Sequence, residues 1–572
     1  VSTRRHACVA GRWHTLMSSL VRMSVMLLTL SVASIACADG ELVPVNEEIS
    51  AEEVLRLVSP EYPGLADFAQ AMQAGDLQQA QALLVRHFAT RESPAVPPAE
   101  FPGVGEGNSM IVIKASGTSK TIADEKWLKH IFTSSNNDVG KRETHDLGPE
   151  IDWLHVPSTG SSWGGYLNQL NIVSKLAGVY RDTEDEKYAT EVGNLLISWT
   201  KQVHRSYGYT RGGKHVNSGM EVRNRLCNCI AAYDVVARAP SLTPEMHMAF
   251  WKLFITCSRE LILYSGVSYP GLIPASVMYP EFSESGEWFE AGSADLRHHL
   301  VDRTTPEGAW DTHSISYQKV PVPWAVRSLE FLRANPGSED AGDLPAVIEE
   351  QAGKLLEMMM RIVMPNGGMP NIGDTYGRGD WSAGAFIAPL TSWIALKLDG
   401  KQTNALAEIS DPFARLKMAL AMADDTPSDE PVDASSGFFG TGYYVMRSGW
   451  EPESARYLYF DLSPQAMGHA HNDASHFELY GYGKPLLTDT GDYFLGWGYR
   501  TALHNAIEID GQQQTRGAAA LMMPHEFIST DAYDFVDGAH GAYEGPVGEQ
   551  HQSRLAEGIL PLGNNRGIGD LK

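Results

Sequence analysis

The hydrophobic period of this 572-residue chain changes once, near Gly437, and no single-layer architecture accommodates both halves. From Ser50 to about Gly440 the pattern is helical. Tyr188, Val192, Leu195, Leu196 and Trp199 fall on one stripe, and Val222, Leu226, Cys229, Ile230 and Tyr233 repeat it. Ser50 with Glu53, and Thr183 with Glu186, have capping-box spacing, and Thr243-Pro244 opens a helix ending in the stripe Trp251, Phe254 and Leu261. Further helices are expected over 287–303, 321–334, 346–364, 383–398 and 404–422, with Met358-Met359-Met360 as core filling. Long helices with short links imply stacked antiparallel hairpins, curved into a solenoid or a closed toroid.

Beyond Gly437 the period is two. Tyr443 to Arg447, Arg456 to Leu462, Phe477 to Leu487 and Ala506 to Asp510 read as strands between Gly, Pro and Asn turns. The fold class is therefore multidomain α+β: N-terminal helical hairpins over 39–436, forming an open solenoid or an (α/α) toroid, then a C-terminal antiparallel β-sandwich over 437–572. The Pro-rich Glu92 to Pro102 and the polar Asp424 to Ser436 are the expected linkers.

Residues 1–38 read as a signal peptide with upstream residues: Arg22, the apolar run Met23 to Ala33, and Ala36-Cys37-Ala38 as a cleavage site. A lipoprotein would use Cys37, but Ser34 stands where that signal prefers leucine. The expected location is periplasmic or secreted, with no membrane span in the mature chain. Cys227, Cys229 and Cys257 lie on helical patterns without zinc-site spacing and read as buried thiols. The formal charge of -25 excludes nucleic acid as a partner, which needs a basic footprint. A polyanionic substrate requires basic groups gathered locally in a cleft.

The chemistry concentrates in Gly468-His469-Ala470-His471-Asn472-Asp473, Ser475-His476-Phe477-Glu478, Asp489-Thr490-Gly491 and Leu503-His504-Asn505. His469, His471, His476, Asp489 and His504 fall within 36 residues, a set able to hold a divalent metal and leave one imidazole for proton transfer. Duller roles compete with each: a surface pair for His469 and His471, a turn for Asp489, a strand cap for His504. Glu221 and Arg225, at i and i+4, read equally as an intrahelical ion pair or as contacts to a substrate carboxylate.

Several blocks resemble the heparinase II/III-like polysaccharide lyases over most of residues 150–515. These are Leu176 to Tyr180 through Trp199, Met220 to Arg225, Glu307 to Tyr317, Pro370-Asn371-Ile372-Gly373-Asp374, and above all the segments after Tyr443. The resemblance implies β-elimination at a uronic acid: a base takes the C5 proton, an acid protonates the departing glycosidic oxygen, and the carboxylate is neutralised. It implies Tyr317 as acid, with His469 as the other proton-transfer residue, and His471, Asp489 and His504 as ligands of a structural Zn²⁺. Taken alone, Tyr317 is one of 22 tyrosines. The implied substrate is an anionic polysaccharide, heparin or heparan sulfate, or alginate.

Two departures stand out. The family's carboxylate-binding Asn or Glu has no counterpart where Ser268 to Gly271 runs into Leu272-Ile273-Pro274, leaving Asn217, His215 or His313 as substitutes. After His551 the chain turns glycine-rich, where a full sandwich would add strands. The alternatives are a non-catalytic carbohydrate-binding relative and, less in keeping with a Tyr/His set, an α-toroid glycoside hydrolase using paired carboxylates.

Overall fold

The computed structural model describes residues 44–98, 119–136, 141–157, 162–204, 209–211, 214–318, 320–337, 340–375, 435–438, 440–463, 469–491, 500–508, 511, 513–514 and 526–538. They form two compact units. One holds the described residues up to 91, then 119–275 and 281–284; the other holds 92–98, 276–280 and those from 285 onward. The expected signal segment, Cys8, Cys37, the helices at 383–398 and 404–422, and the chain after 538 lie outside the described residues. No helix among the described residues is long and apolar enough to cross a membrane.

The first unit is helical. Its main helices are α1 (Asn171–Thr183), α2 (Glu186–Gln202), α3 (Gly219–Val236) and α4 (Pro244–Leu261), each packed against its chain neighbour. The two stripes from Tyr188 to Trp199 and from Val222 to Tyr233 are buried throughout, as are Trp251, Phe254 and Leu261. Emptying one such position, as in Trp199→Ala, costs about 3–5 kcal/mol through lost transfer energy and the cavity left behind. Thr243 caps α4 by accepting from the Met246 N–H at 3.3 Å, and Ser50 accepts from the Glu53 N–H at 3.1 Å. Thr183 is a correction. It ends α1, its hydroxyl donating to the Val179 carbonyl, and Asp185 caps α2 instead. Only Glu184, in the left-handed region, and Asp185 separate the two helices, so no room remains for a four-residue box. Cys227, Cys229 and Cys257 are buried and form no disulfide.

The second unit carries helix Ser285–Arg297, a π turn over His298–Asp302, and the pair α5 (Pro321–Ala334) and α6 (Leu344–Ile362). Met358, Met359 and Met360 are buried on α6. The Pro-rich stretch is no free linker where it is described. Arg327 of α5 donates to the carbonyls of Pro97 and Pro98, and Asn335 brackets the backbone of Ala95.

Five antiparallel strands follow in sequential order: β1 (Ser436–Phe438), β2 (Tyr443–Arg447), β3 (Tyr457–Asp461), β4 (His476–Gly481) and β5 (Lys484–Leu487). A further hairpin, Phe527–Ser529 with Asp534–Val536, lays Phe527 against Tyr444, ring centroids 5.6 Å apart. Helices followed by an antiparallel sheet is the expected order. Two strand readings are corrected. Phe477 to Leu487 is a hairpin, turning at Tyr482 and Gly483 with φ of 55° and 75°, the backbone that a tight two-residue turn demands. Residues 506–508 form no strand; Asn505, just before them, ties its side chain to the Phe477 and Thr488 carbonyls.

Candidate active site

Tyr317 sits on a one-turn helix, Ile315–Gln318, that is too short to be stable by itself. Neighbouring backbone holds it. The Ile315 N–H donates to the Ile372 carbonyl at 3.1 Å, and the Gln318 amide clamps Gly308, Trp310 and Leu355. The loop 370–375 that receives Ile315 also receives the histidine segment, because the Asp374 N–H donates to the His469 carbonyl at 3.0 Å. Gly373 makes this convergence possible. Its φ is +60°, and a Cβ there would lie 2.5 Å from the His469 carbonyl oxygen and 2.7 Å from that of His313.

The consequence is a face-to-face pair. The rings of Tyr317 and His469 stack with centroids 3.5 Å apart and planes 10° apart. Asp374, fully buried, joins them to the next histidine: its Oδ2 is 2.7 Å from His469 Nδ1 and its Oδ1 is 2.9 Å from His471 Nε2. Burial alone would push the Asp374 carboxyl up, but the bonds from His469 and His471 hold it below its ordinary value. His469 keeps a 29% exposed side chain while that of His471 is wholly buried, so the first can meet a substrate and the second cannot.

Behind this pair lies a buried ionisable cluster. His504 Nδ1 meets Asp489 Oδ2 at 2.5 Å, and His476 Nδ1 stands 3.5 Å from the same oxygen. Glu478, on β4, accepts the Asn371 and Asp489 N–H groups through Oε1. Two overlapping groups have metal-binding proximity: His471, Asp473 and His504, and His476, Asp489 and His504. His504 belongs to both. The residues fit a divalent ion on three counts. Imidazole and carboxylate are zinc-type donors; His504 Nε2 is buried without a hydrogen-bond partner; and each of His471 and His504 has its other nitrogen held by a carboxylate, as metal-bound histidines do. Asp461, buried beside Asp473, has its carboxyl pushed up by burial and then by that neighbouring charge. Such packed negative charge favours a cation.

The other expected site residues are employed differently. Glu221 caps α3: its carboxylate accepts from the Ser218 N–H and hydroxyl. Arg225 is 1% exposed, lies 4.3 Å over the Trp199 ring and donates to the Asn168 carbonyl at 2.8 Å. A guanidinium so enclosed has no surface from which to reach a polymer, and substrate contact gives way to packing. His313 is buried with Nδ1 3.4 Å from the Tyr443 hydroxyl, and burial lowers its pKa to about 4, so it is neutral and offers a carboxylate no charge. The side chains of His215 and Asn217 lie outside the described residues.

Sequence reasoning passed over Asp374 and Asp473. Asp473 had a signal, since His469, His471 and Asp473 alternate along one extended segment and share a face. Asp374 ends one of the family-like blocks, but nothing in the sequence tied it to His469, 95 residues away.

The heparinase II/III N-terminus family model matches residues 54–388, and the heparinase II/III-like C-terminal model matches 431–563. A heparin-sulfate lyase of Bacteroides stercoris is 21% identical over 531 residues, 86% of this chain and 73% of its own length. That of Pedobacter heparinus is 22% identical over 513 residues, 84% and 71% of the two chains. Among solved structures, heparinase III superposes with a TM-score of 0.64 at 18% identity, covering 84% of this chain and 74% of its own. The heparan sulfate lyase of Pedobacter heparinus gives 0.60 at 19%, covering 86% and 75%. The chain belongs to the heparinase II/III-like family.

Proposed function

We propose that this polysaccharide lyase cleaves heparin or heparan sulfate by β-elimination, with Tyr317 and His469 as the proton-transfer pair. The stacked rings of these two residues carry the reading, since the reaction needs a base at C5 and an acid at the leaving oxygen within one substrate's reach. The heparin-sulfate lyases of similar sequence point to the sulfated polymer. In this reading Tyr317 gives its phenolic proton to the glycosidic oxygen, and the exposed edge of His469 faces the sugar. His471, Asp489 and His504 would hold Zn²⁺ in this reading, although His504 is grouped with His471 and Asp473 and, separately, with His476 and Asp489, so that His471 and Asp489 share no group. Bound there, zinc supplies positive charge that braces the buried carboxylates. Action on an extracellular polymer fits a periplasmic or secreted enzyme.

Purified protein incubated with heparan sulfate, heparin, alginate and hyaluronan tests the reading. An unsaturated, ultraviolet-absorbing end group from heparan sulfate or heparin is the expected product. That product from alginate alone would move the substrate to an unsulfated uronate. New reducing ends without unsaturation would make the protein a hydrolase, and binding without product a carbohydrate-binding relative.

A further inference from the structure

We propose that Asp374 is a positioning residue that sets opposite tautomers on two histidines, so that His469 presents Nε2 to substrate while His471 presents Nδ1 to the buried cluster. The inference deepens the proposed function and rests on His469 acting in proton transfer.

Each oxygen of an ionised Asp only accepts, so a neutral imidazole bonded to it must donate from the nitrogen it turns toward that oxygen. His469 turns Nδ1 to Oδ2 at 2.7 Å; its proton is therefore on Nδ1 and its lone pair on Nε2. His471 turns Nε2 to Oδ1 at 2.9 Å; its proton is on Nε2 and its lone pair on Nδ1. Both oxygens of Asp374 thus take a ring nitrogen, the arrangement that suits an ionised carboxylate. A basic nitrogen is thus delivered on the 29% exposed ring, and a ligating nitrogen on the wholly buried one.

The backbone of Asp374 reinforces this. Its N–H is bonded to the His469 carbonyl, and its own carbonyl accepts the Ser314 hydroxyl at 2.8 Å, three residues before Tyr317. One residue thereby fixes the ring, the tautomer and the backbone of His469 together with the start of the tyrosine helix. The family resemblance assigns Asp374 no part in the chemistry.

Two measurements on the full chain decide the matter. In Asp374→Asn the amide shape is kept while an N–H replaces one accepting oxygen, forcing one ring into the wrong tautomer. The expected result on heparan sulfate is a kcat lower by about 10²-fold or more, with KM within about threefold and an unchanged circular dichroism spectrum. A kcat within about threefold of wild type, or a loss confined to KM, overturns the inference. Nitrogen-15 spectra of histidine-labelled wild type near pH 8 should show His469 protonated on Nδ1 and His471 on Nε2; any other pattern overturns it, whether or not the variant folds. A wild type with these tautomers but no unsaturated product on any polymer counts against the proposed function alone.

Discussion

Both units bury charge, and they do it in different ways. In the helical unit the buried charged side chains are spread apart and take local partners. Arg225 donates to the Asn168 carbonyl, Lys252 to the carbonyl and side chain of Asn46 at 2.7 and 3.0 Å, and Glu281 takes His87 and Arg91 at 2.8 and 2.6 Å. In the unit with the sheet, Asp374, His471, His476, Glu478, Asp489 and His504 are all buried, and the bonded pairs among them link an imidazole to a carboxylate or a carboxylate to backbone. His504 Nε2 and Glu478 Oε2 still lack a hydrogen-bond partner. Burying charge is costly, so a fold that needs only rigidity spreads its charges apart. A fold that crowds several imidazoles and carboxylates into one place is holding them for chemistry or for an ion.

The largest effect expected from this contrast is at Tyr317. Tyr317→Phe keeps the stack on His469 and removes only the phenolic proton, so kcat should fall by about 10²–10⁴-fold with the fold intact. Turnover retained within tenfold would leave the stacked pair as mere packing. Next is His504→Ala. It removes the residue common to both metal-capable groups, so zinc retained after dialysis should drop at least about tenfold by atomic emission. Zinc held as in wild type would show that the surplus atoms of this cluster do not mark an ion.

How far the sequence disclosed this depended on the range of the signal. Local periodicity found the stripes on α2 and α3 and the strand Tyr443–Arg447, because those patterns repeat every few residues. It overran the turn at Tyr482 and Gly483, where apolar alternation continues across a chain reversal. Glu221 and Arg225 were ambiguous for a physical reason: the same helical spacing serves a cap, a packed guanidinium and a ligand contact. The histidines were visible through their density in one segment, whereas Tyr317 was singled out by family likeness. Asp374 could be found only after a loop 95 residues distant in sequence was seen to fold onto His469.

In the helical unit the same contrast predicts stability changes without chemical ones. Glu281→Gln leaves Arg91 facing an amide in a part-buried site, which should cost about 3 kcal/mol in urea unfolding while kcat of the folded protein stays within twofold. A collapse of kcat in the folded variant would mean that these dispersed charges also serve catalysis, and the division between the units would fail.

The smallest effect concerns pH. His247 lies on α4, buried, with Nδ1 2.7 Å from the Tyr233 hydroxyl, and burial lowers its pKa to about 4. The unfolded chain binds that proton at an ordinary value of 6.5, so between 6.5 and about 4 the unfolded state holds one more proton than the folded state. Stability should therefore be fully present above 6.5 and fall as pH drops toward 4, by up to about 1.4 kcal/mol per pH unit from this residue. His247→Gln retains a hydrogen-bonding group for Tyr233 without the titration. Its stability plotted against pH should be shallower across that window by close to one proton. An unchanged slope would mean that His247 is charged in the folded protein, and that this unit too carries a buried charge with no local answer.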